Sequence, residues 1–276
     1  MILVTAATAP VGRAIVEQLA GAGERVRALT RAPQSADLPT SAELAVGDLS
    51  DPASLAAAMA GVRTAFLLAV APGVAPAFIT AASEAGVRRV VFQSSGAVED
   101  GAEQSNSMAA FHADIEAALR GSGLEWTFLR LAVASADALQ WAFDVPAQLR
   151  AGDVVRGPWA DAAGSPIHPA DLAAVAVAGL TDDQHAGRVY DLTGPQSLTN
   201  EEQIRLVGAA RGRTLRYEEL DEAAAREAIS PFAPADILFD TWRRYRHEAA
   251  PVTDVVERVT GRRPRSASDW AAGYPL

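Results

Sequence analysis

Ile2-Leu3-Val4-Thr5-Ala6-Ala7-Thr8-Ala9-Pro10-Val11-Gly12 is the stretch on which the fold turns. A short apolar run, a tight small-residue loop and the start of an amphipathic segment follow one another without a gap. That is the layout of a dinucleotide-binding turn, in which the first amides of a helix face a pyrophosphate. Such a turn normally carries three glycines: for the sharp bend, for close approach to phosphate, and for close packing of helix on strand. Here the first two are Ala6 and Ala9, and only Gly12 remains. The fold signal is intact while the ligand signal is altered, so Thr5, Ala6, Thr8, Ala9, Pro10, Val11 and Gly12 are the candidate pyrophosphate contacts.

Working outward, short apolar runs alternate with helix-period segments through the first half of the chain, the mark of βαβ units and a parallel sheet. Strands are expected at Ile2–Thr5, Arg25–Thr30, Leu44–Val46, Thr64–Val70, Arg89–Gln93 and Trp126–Leu131. Val11, Ile15, Val16 and Leu19 line one face of the first helix, and Asp51-Pro52 is an N-cap followed by proline at the first helical position. A further helix is expected from Met108 to Arg120. Beyond residue 131 the rhythm loosens. Helical stretches are expected at Trp141–Leu149, Pro169–Leu180 and over most of Asp221–Arg246. Asp153–Arg156, Val189–Leu192 and Leu215–Glu219 read as extended, and Thr199-Asn200-Glu201-Glu202 reads as a capping box. The expected architecture is a Rossmann-type doubly wound parallel sheet over residues 1–131. Residues 132–276 form a smaller C-terminal substrate lobe, with elements returning to the sheet.

Composition narrows the chemistry. All 24 basic residues among the 276 are arginine, so a Schiff-base lysine, a phosphate-loop lysine and a Tyr-x-x-x-Lys pair are excluded. There is no cysteine, hence no disulfide, thiolate metal site or cysteine nucleophile, and four histidines at unrelated spacings suggest no metal site. A net charge of −10 argues against a nucleic-acid surface. No apolar run approaches the roughly 20 residues that span a bilayer. A cytoplasmic protein, monomeric or homodimeric, acting on a small molecule is expected.

Several segments together resemble the NmrA-like branch of the atypical short-chain dehydrogenases/reductases. They are Ile2–Gly12, Val26–Arg31, Gly47–Asp51, Val90–Ala97, Ala118–Leu124 with Thr127–Arg130, and Ile167–Ala173. The resemblance spans nearly the whole chain. It implies NAD(P) binding and, in some members, reduction of quinones or other carbonyl compounds; other members bind nucleotide only as regulators. It also implies that Asp48-Leu49 contacts adenine. Departures cluster at the site: Ala6, Ala9, Leu131-Ala132 in place of a usual Pro-Gly, and Asp137 in place of a usual asparagine.

Arg31 stands after the second strand, where an NAD-preferring site carries a carboxylate for the ribose hydroxyls. A guanidinium suits a 2′-phosphate, which points to NADP(H), bound weakly or lost given the alanines. The plainer reading is an exposed arginine. No tyrosine lies near the fifth strand. His112 and Glu116 share a helix face at i, i+4, so His112 is the candidate proton carrier with Glu116 orienting it, against a plain surface pair. Ser94 and Ser95 are placed to hydrogen-bond a carbonyl at the strand edge, or only to cap the turn. Trp141, Phe143 and Trp159 are candidate walls of an apolar pocket, or core. The expected activity is NADP(H)-dependent reduction of a small apolar carbonyl, enone or quinone. The alternatives are a non-redox isomerase, cyclase or dehydratase using His112, Ser94 or Asp137, and a nucleotide or metabolite sensor.

Overall fold

The computed structural model describes residues 1–69 and 73–274. In chain order the first elements are β1 (Ile2–Val4), α1 (Pro10–Gly21), β2 (Val26–Thr30), β3 (Glu43–Val46), α2 (Pro52–Met59) and β4 (Thr64–Leu67). There follow α3 (Val74–Glu84), β5 (Arg89–Ser95), α4 (Ser107–Gly121), β6 (Glu125–Leu131), α5 (Ala138–Ala142), α6 (Val145–Ala151), β7 (Val154–Pro158) and β8 (Ala163–Gly164). Next come α7 (Pro169–Thr181), β9 (Arg188–Leu192), β10 (Leu198–Thr199), α8 (Asn200–Ala209) and β11 (Arg216–Leu220). The last are α9 (Glu222–Ala228), α10 (Ala235–Arg244), α11 (Val255–Thr260) and α12 (Ala267–Ala272).

Two compact units result. The first holds Met1–Arg130, Pro169–Asp191 and Arg258–Gly261; the second holds Leu131–His168, Leu192–Glu257 and the chain from Arg262 onward. The first unit is built on a seven-stranded sheet of order β3-β2-β1-β4-β5-β6-β9. β1 runs parallel to both β2 and β4, and β2–β3 and β4–β5 are parallel too. The strand order reverses between β1 and β4, the topological switch at which doubly wound sheets open a ligand crevice at their carboxyl ends. β1 and β4 are buried along their whole length, as apolar runs broken only by Thr64 require. α1 turns Ile15, Val16 and Leu19 inward, and Asp51 caps α2 by accepting from the Ala53 amide at 3.0 Å. Val70, the expected end of the fourth strand, lies outside the described residues; the strand itself stops at Leu67.

The second unit has its own apolar core around Phe143, Trp159, Phe239, Trp242 and Trp270. Its two small sheets pair β7 with β11 in parallel and β8 with β10 antiparallel. Thr199 forms the expected capping box with Glu202. Two stretches expected to be helical are each divided into two helices. Trp141–Leu149 divides at Asp144, which adopts a left-handed φ of 44° and caps α6 through its carboxylate. Asp221–Arg246 divides at Ser230-Pro231, where proline removes an amide donor and pushes the preceding residue out of the helical region.

Candidate functional site

The turn after β1 is held from three sides. The Thr5 amide donates to the Phe66 carbonyl at 3.2 Å, the Thr5 hydroxyl accepts from the Leu68 amide at 2.9 Å, and the Ala9 amide donates to the Ala6 carbonyl at 2.9 Å. Thr5 is fully buried, so its hydroxyl ties β1 to the end of β4. Ala6 sits at φ 48°, in the left-handed region where a glycine is normally required. Gly12 has no room for a side chain, because a Cβ there would run into the Ala6 carbonyl. Thr8 and Pro10 are exposed at the rim. Pro10 occupies the first position of α1, so the amides that open toward a ligand are those of the turn, Val11 and Gly12. This cradle fits a pyrophosphate: backbone donors converge at the positive end of a 12-residue helix.

Beside it, at the carboxyl end of β2, the Arg31 guanidinium is exposed and stands 3.8 Å from the Asp48 carboxylate. A pair this long and this open to water adds next to nothing to stability and leaves the guanidinium able to take an anion. Asp48 is fixed by the Ser50 amide and hydroxyl, at 2.8 and 2.7 Å, and these bonds, with Arg31 as a lesser cause, hold its carboxyl below the usual range. Leu49 packs on the core of this unit. Arg13, in the first turn of α1, also reaches the chain beyond β2, through Asp37 at 2.8 Å.

The expected acid–base pair is not assembled. His112 Nδ1 lies 2.8 Å from the Met108 carbonyl, so this nitrogen carries the proton and donates it. The ring stacks on Phe92 and meets Phe111 edge-on. Burial lowers its pKa, with the Met108 bond and the Glu116 charge opposing. The neutral ring therefore offers a lone pair at Nε2, which suits a base and not an acid.

Glu116 does not orient His112. It is completely buried and accepts from Ser94 Oγ at 2.7 Å, from Arg130 Nε and Nη2 at 3.0 and 2.8 Å, and from Arg120 at 3.1 Å. Arg130 continues to Asp100 with bonds of 2.9 and 2.7 Å. These carboxylates, Glu116 first, raise the Arg130 pKa, and Arg130 lowers that of Asp100. Ser94 is thus an inward-facing residue whose hydroxyl is committed to Glu116. Ser95 is also buried, and its hydroxyl caps the next turn through the Ala97 amide at 3.1 Å. Glu116 shares the inward stripe of α4 with Ala109, Ile115 and Leu119.

The remaining candidates lie in the second unit. Asp137 precedes α5 at φ 56°, and its Oδ2 accepts from Trp270 Nε1 at 2.9 Å. Burial pushes its pKa up to about 7, with the Trp270 bond opposing. Trp141 does not wall a pocket: it is exposed and donates to the Ala136 carbonyl at 3.2 Å. Phe143 and Trp159 are core residues, packed against Trp242 and Phe239 respectively.

Comparison with known proteins agrees with this geometry. A family model described as NAD(P)H-binding matches residues 6–183. The chain is 38% identical over 281 residues to the (4-alkanoyl-5-oxo-2,5-dihydrofuran-3-yl)methyl phosphate reductase of Streptomyces griseus subsp. griseus, covering 99% of this chain and 98% of that protein. It is 30% identical to the NAD(P)H azoreductase of Xenophilus azovorans over 286 residues, 99% of this chain and 98% of the relative. Among solved structures, the triphenylmethane reductase of Citrobacter sp. in complex with NADP(H) superposes with a TM-score of 0.77 at 20% identity, over 99% of this chain and all of that one. The chain belongs to the NAD(P)H-binding, NmrA-like family of atypical short-chain dehydrogenases/reductases.

Proposed function

We propose that the protein is an NADPH-dependent reductase of a small, electron-poor carbonyl compound, with an acyl-substituted enone as the favoured class. The observation that carries this reading is the exposed Arg31 guanidinium at the end of β2, beside a backbone cradle suited to pyrophosphate. A carboxylate at that position would select NADH, and a guanidinium favours a 2′-phosphate. The cofactor supplies a hydride. The chain supplies the rest: amides of the Thr5–Gly12 turn hold the pyrophosphate, Asp48 and Leu49 border the adenine, and Arg31 selects the phosphate.

The substrate class draws on the Streptomyces relative, whose substrate name describes a ring double bond with a lactone carbonyl and an alkanoyl carbonyl on one carbon and a phosphomethyl group on the other. Hydride addition to such a bond leaves an enolate spread over two carbonyls. That enolate asks little of a general acid, which accords with a chain lacking a Tyr-Lys pair and with a neutral His112.

Two measurements test the reading. NADPH oxidation is followed in the presence of a 2-acylbutenolide and, separately, of simple quinones. The acylbutenolide is expected to be reduced at the carbon–carbon double bond with NADPH preferred over NADH, and Arg31→Ala to weaken NADPH by roughly 10-fold while leaving NADH unchanged. Equal use of both cofactors by the wild type refutes the role of Arg31. Consumption of the enone without NADPH replaces reduction by isomerase or dehydratase chemistry.

A further inference from the structure

Among the described residues, two buried side-chain oxygens find no hydrogen-bond partner, Thr64 Oγ1 and Gln93 Oε1. Thr64 opens β4 at the amino edge of the sheet, away from the ligand crevice. Gln93 lies near the carboxyl end of β5, the edge at which doubly wound sheets bind ligands. Strand register sets its level. Val4 pairs with Phe66 and Leu67 with Phe92, so continuing both ladders places Ala6, Leu68 and Gln93 in one row across the neighbouring strands β1, β4 and β5. The Leu68 amide is already tied to the turn through the Thr5 hydroxyl. Two strand spacings, about 10 Å, separate Gln93 from the turn that cradles a pyrophosphate. Alternation along the strand sets its side. Arg89 donates to the Gly179 carbonyl of α7 at 3.2 Å, and a Cβ at Gly179 would meet the Val91 side chain, so Gln93 faces the α7 side too. Ser94, the next residue, turns the other way to Glu116 on α4. α7 lies beside α1, joined where Gln18 donates to the Ala170 carbonyl at 2.8 Å. Gln93 therefore stands on the face of the sheet that carries α1, level with the cradle and two strands along from it.

We infer that Gln93 binds and orients the nicotinamide, its side-chain oxygen accepting a hydrogen bond from the carboxamide nitrogen. The inference rests on the NADPH reading above. A dinucleotide laid across the switch point has its adenosine half on the Arg31 side, over β2, and its other half beyond β1, over β4 and β5. Gln93 is the residue of β5 whose side chain reaches that edge on the α1 face with its hydrogen-bonding capacity unspent. A buried acceptor without a donor costs free energy, and the cost disappears when a donor arrives. An acyl enone presents only acceptors at its reacting end, whereas the carboxamide brings an N–H. A bond to that group fixes the rotation of the ring and hence the face it turns to the substrate. The neighbouring Ser95 does not compete for the amide, since its hydroxyl is engaged by the Ala97 amide.

The test reads binding and needs no hydride transfer. The probes are NADP+, its acetylpyridine analogue, in which a methyl ketone replaces the carboxamide and removes the N–H, and 2′-phospho-ADP-ribose, which keeps both riboses but lacks the pyridine ring. Each is titrated into the full chain by calorimetry. Wild type should bind NADP+ about 10-fold tighter than the acetylpyridine analogue. Gln93→Met, similar in length but without the acceptor, should bind NADP+ about 10-fold more weakly than wild type and no longer distinguish it from the analogue. Its affinity for 2′-phospho-ADP-ribose should match wild type, and its melting temperature without ligand should be equal or higher, because an unpaired buried oxygen is gone. Equal binding of NADP+ and the analogue by wild type overturns the inference; this comparison needs no variant and decides the matter if Gln93→Met does not fold. Unchanged NADP+ affinity in Gln93→Met overturns it as well. So does an equal loss for 2′-phospho-ADP-ribose, which would make Gln93 a strut of the cradle or a partner of the ribose hydroxyls. Binding of none of the three probes by wild type overturns the NADPH reading itself, and the inference with it.

Discussion

At Ala6 a side chain occupies a backbone conformation that glycine normally fills, with φ 48°. The methyl is tolerated because the turn is fastened through Thr5 and Ala9, not because the site has relaxed. Left-handed backbone costs a non-glycine residue about 1–2 kcal/mol, part of which glycine returns through its freer unfolded chain. Ala6→Gly is therefore expected to raise the unfolding free energy by about 0.5–1 kcal/mol in denaturant titrations, and no change would mean the turn is unstrained. Gly12→Ala should do the opposite, costing roughly 2–4 kcal/mol, because the obstructing atom is the Ala6 carbonyl and not a yielding side chain. Ala9 precedes α1 at ordinary extended angles, so Ala9→Gly should leave stability nearly unaltered and act on cofactor affinity. The two lost glycines thus have different consequences, one for folding and one for binding.

At the scale of elements, β5, α4 and β6 are locked by Ser94, Glu116 and Arg130. Removing one member of a buried pair leaves an uncompensated charge, whereas replacing both by apolar groups of similar size is far milder. Glu116→Leu and Arg130→Met are each expected to destabilise by roughly 3–5 kcal/mol, and the double variant by less than either. Additive losses in a double-mutant cycle would mean the network is not coupled. The same elements show how far the chain could be read in advance. The apolar runs of β1 and β4, the Asp51 and Thr199 caps and the inward stripe of α1 are local signals, and each element formed within the stretch that its pattern marks. The role of Glu116 was not legible from i, i+4 spacing alone. Its partners arrive from β5, β6 and the loop at Asp100, and only the strand order brings them together. The breaks at Asp144 and Ser230-Pro231 were visible as residue types but not as helix ends, since left-handed aspartate is set by packing as much as by propensity.

For the whole molecule, the two units carry separate apolar cores. Asp137 titrates near 7 in the folded protein against an ordinary value near 4, so the native state binds the extra proton. Its contribution to stability is full below the unfolded value and is lost as pH rises through about 7, an effect of at most about 4 kcal/mol. Asp100, whose pKa is held down chiefly by Arg130, works in the other direction and loses its contribution as pH falls below its ordinary range. Melting temperature should accordingly decline from mildly acid to neutral pH, and Asp137→Asn should flatten that decline; an unchanged slope would contradict the buried acid. The central claim, that a cradle with one glycine still selects NADPH, is tested most directly by titrating the purified chain with NADPH and with NADH while nicotinamide fluorescence is recorded. The expected result is saturable NADPH binding at least about 10-fold tighter than NADH, tightened further by Ala9→Gly. No NADPH binding in either wild type or the Ala6→Gly/Ala9→Gly double variant would contradict it.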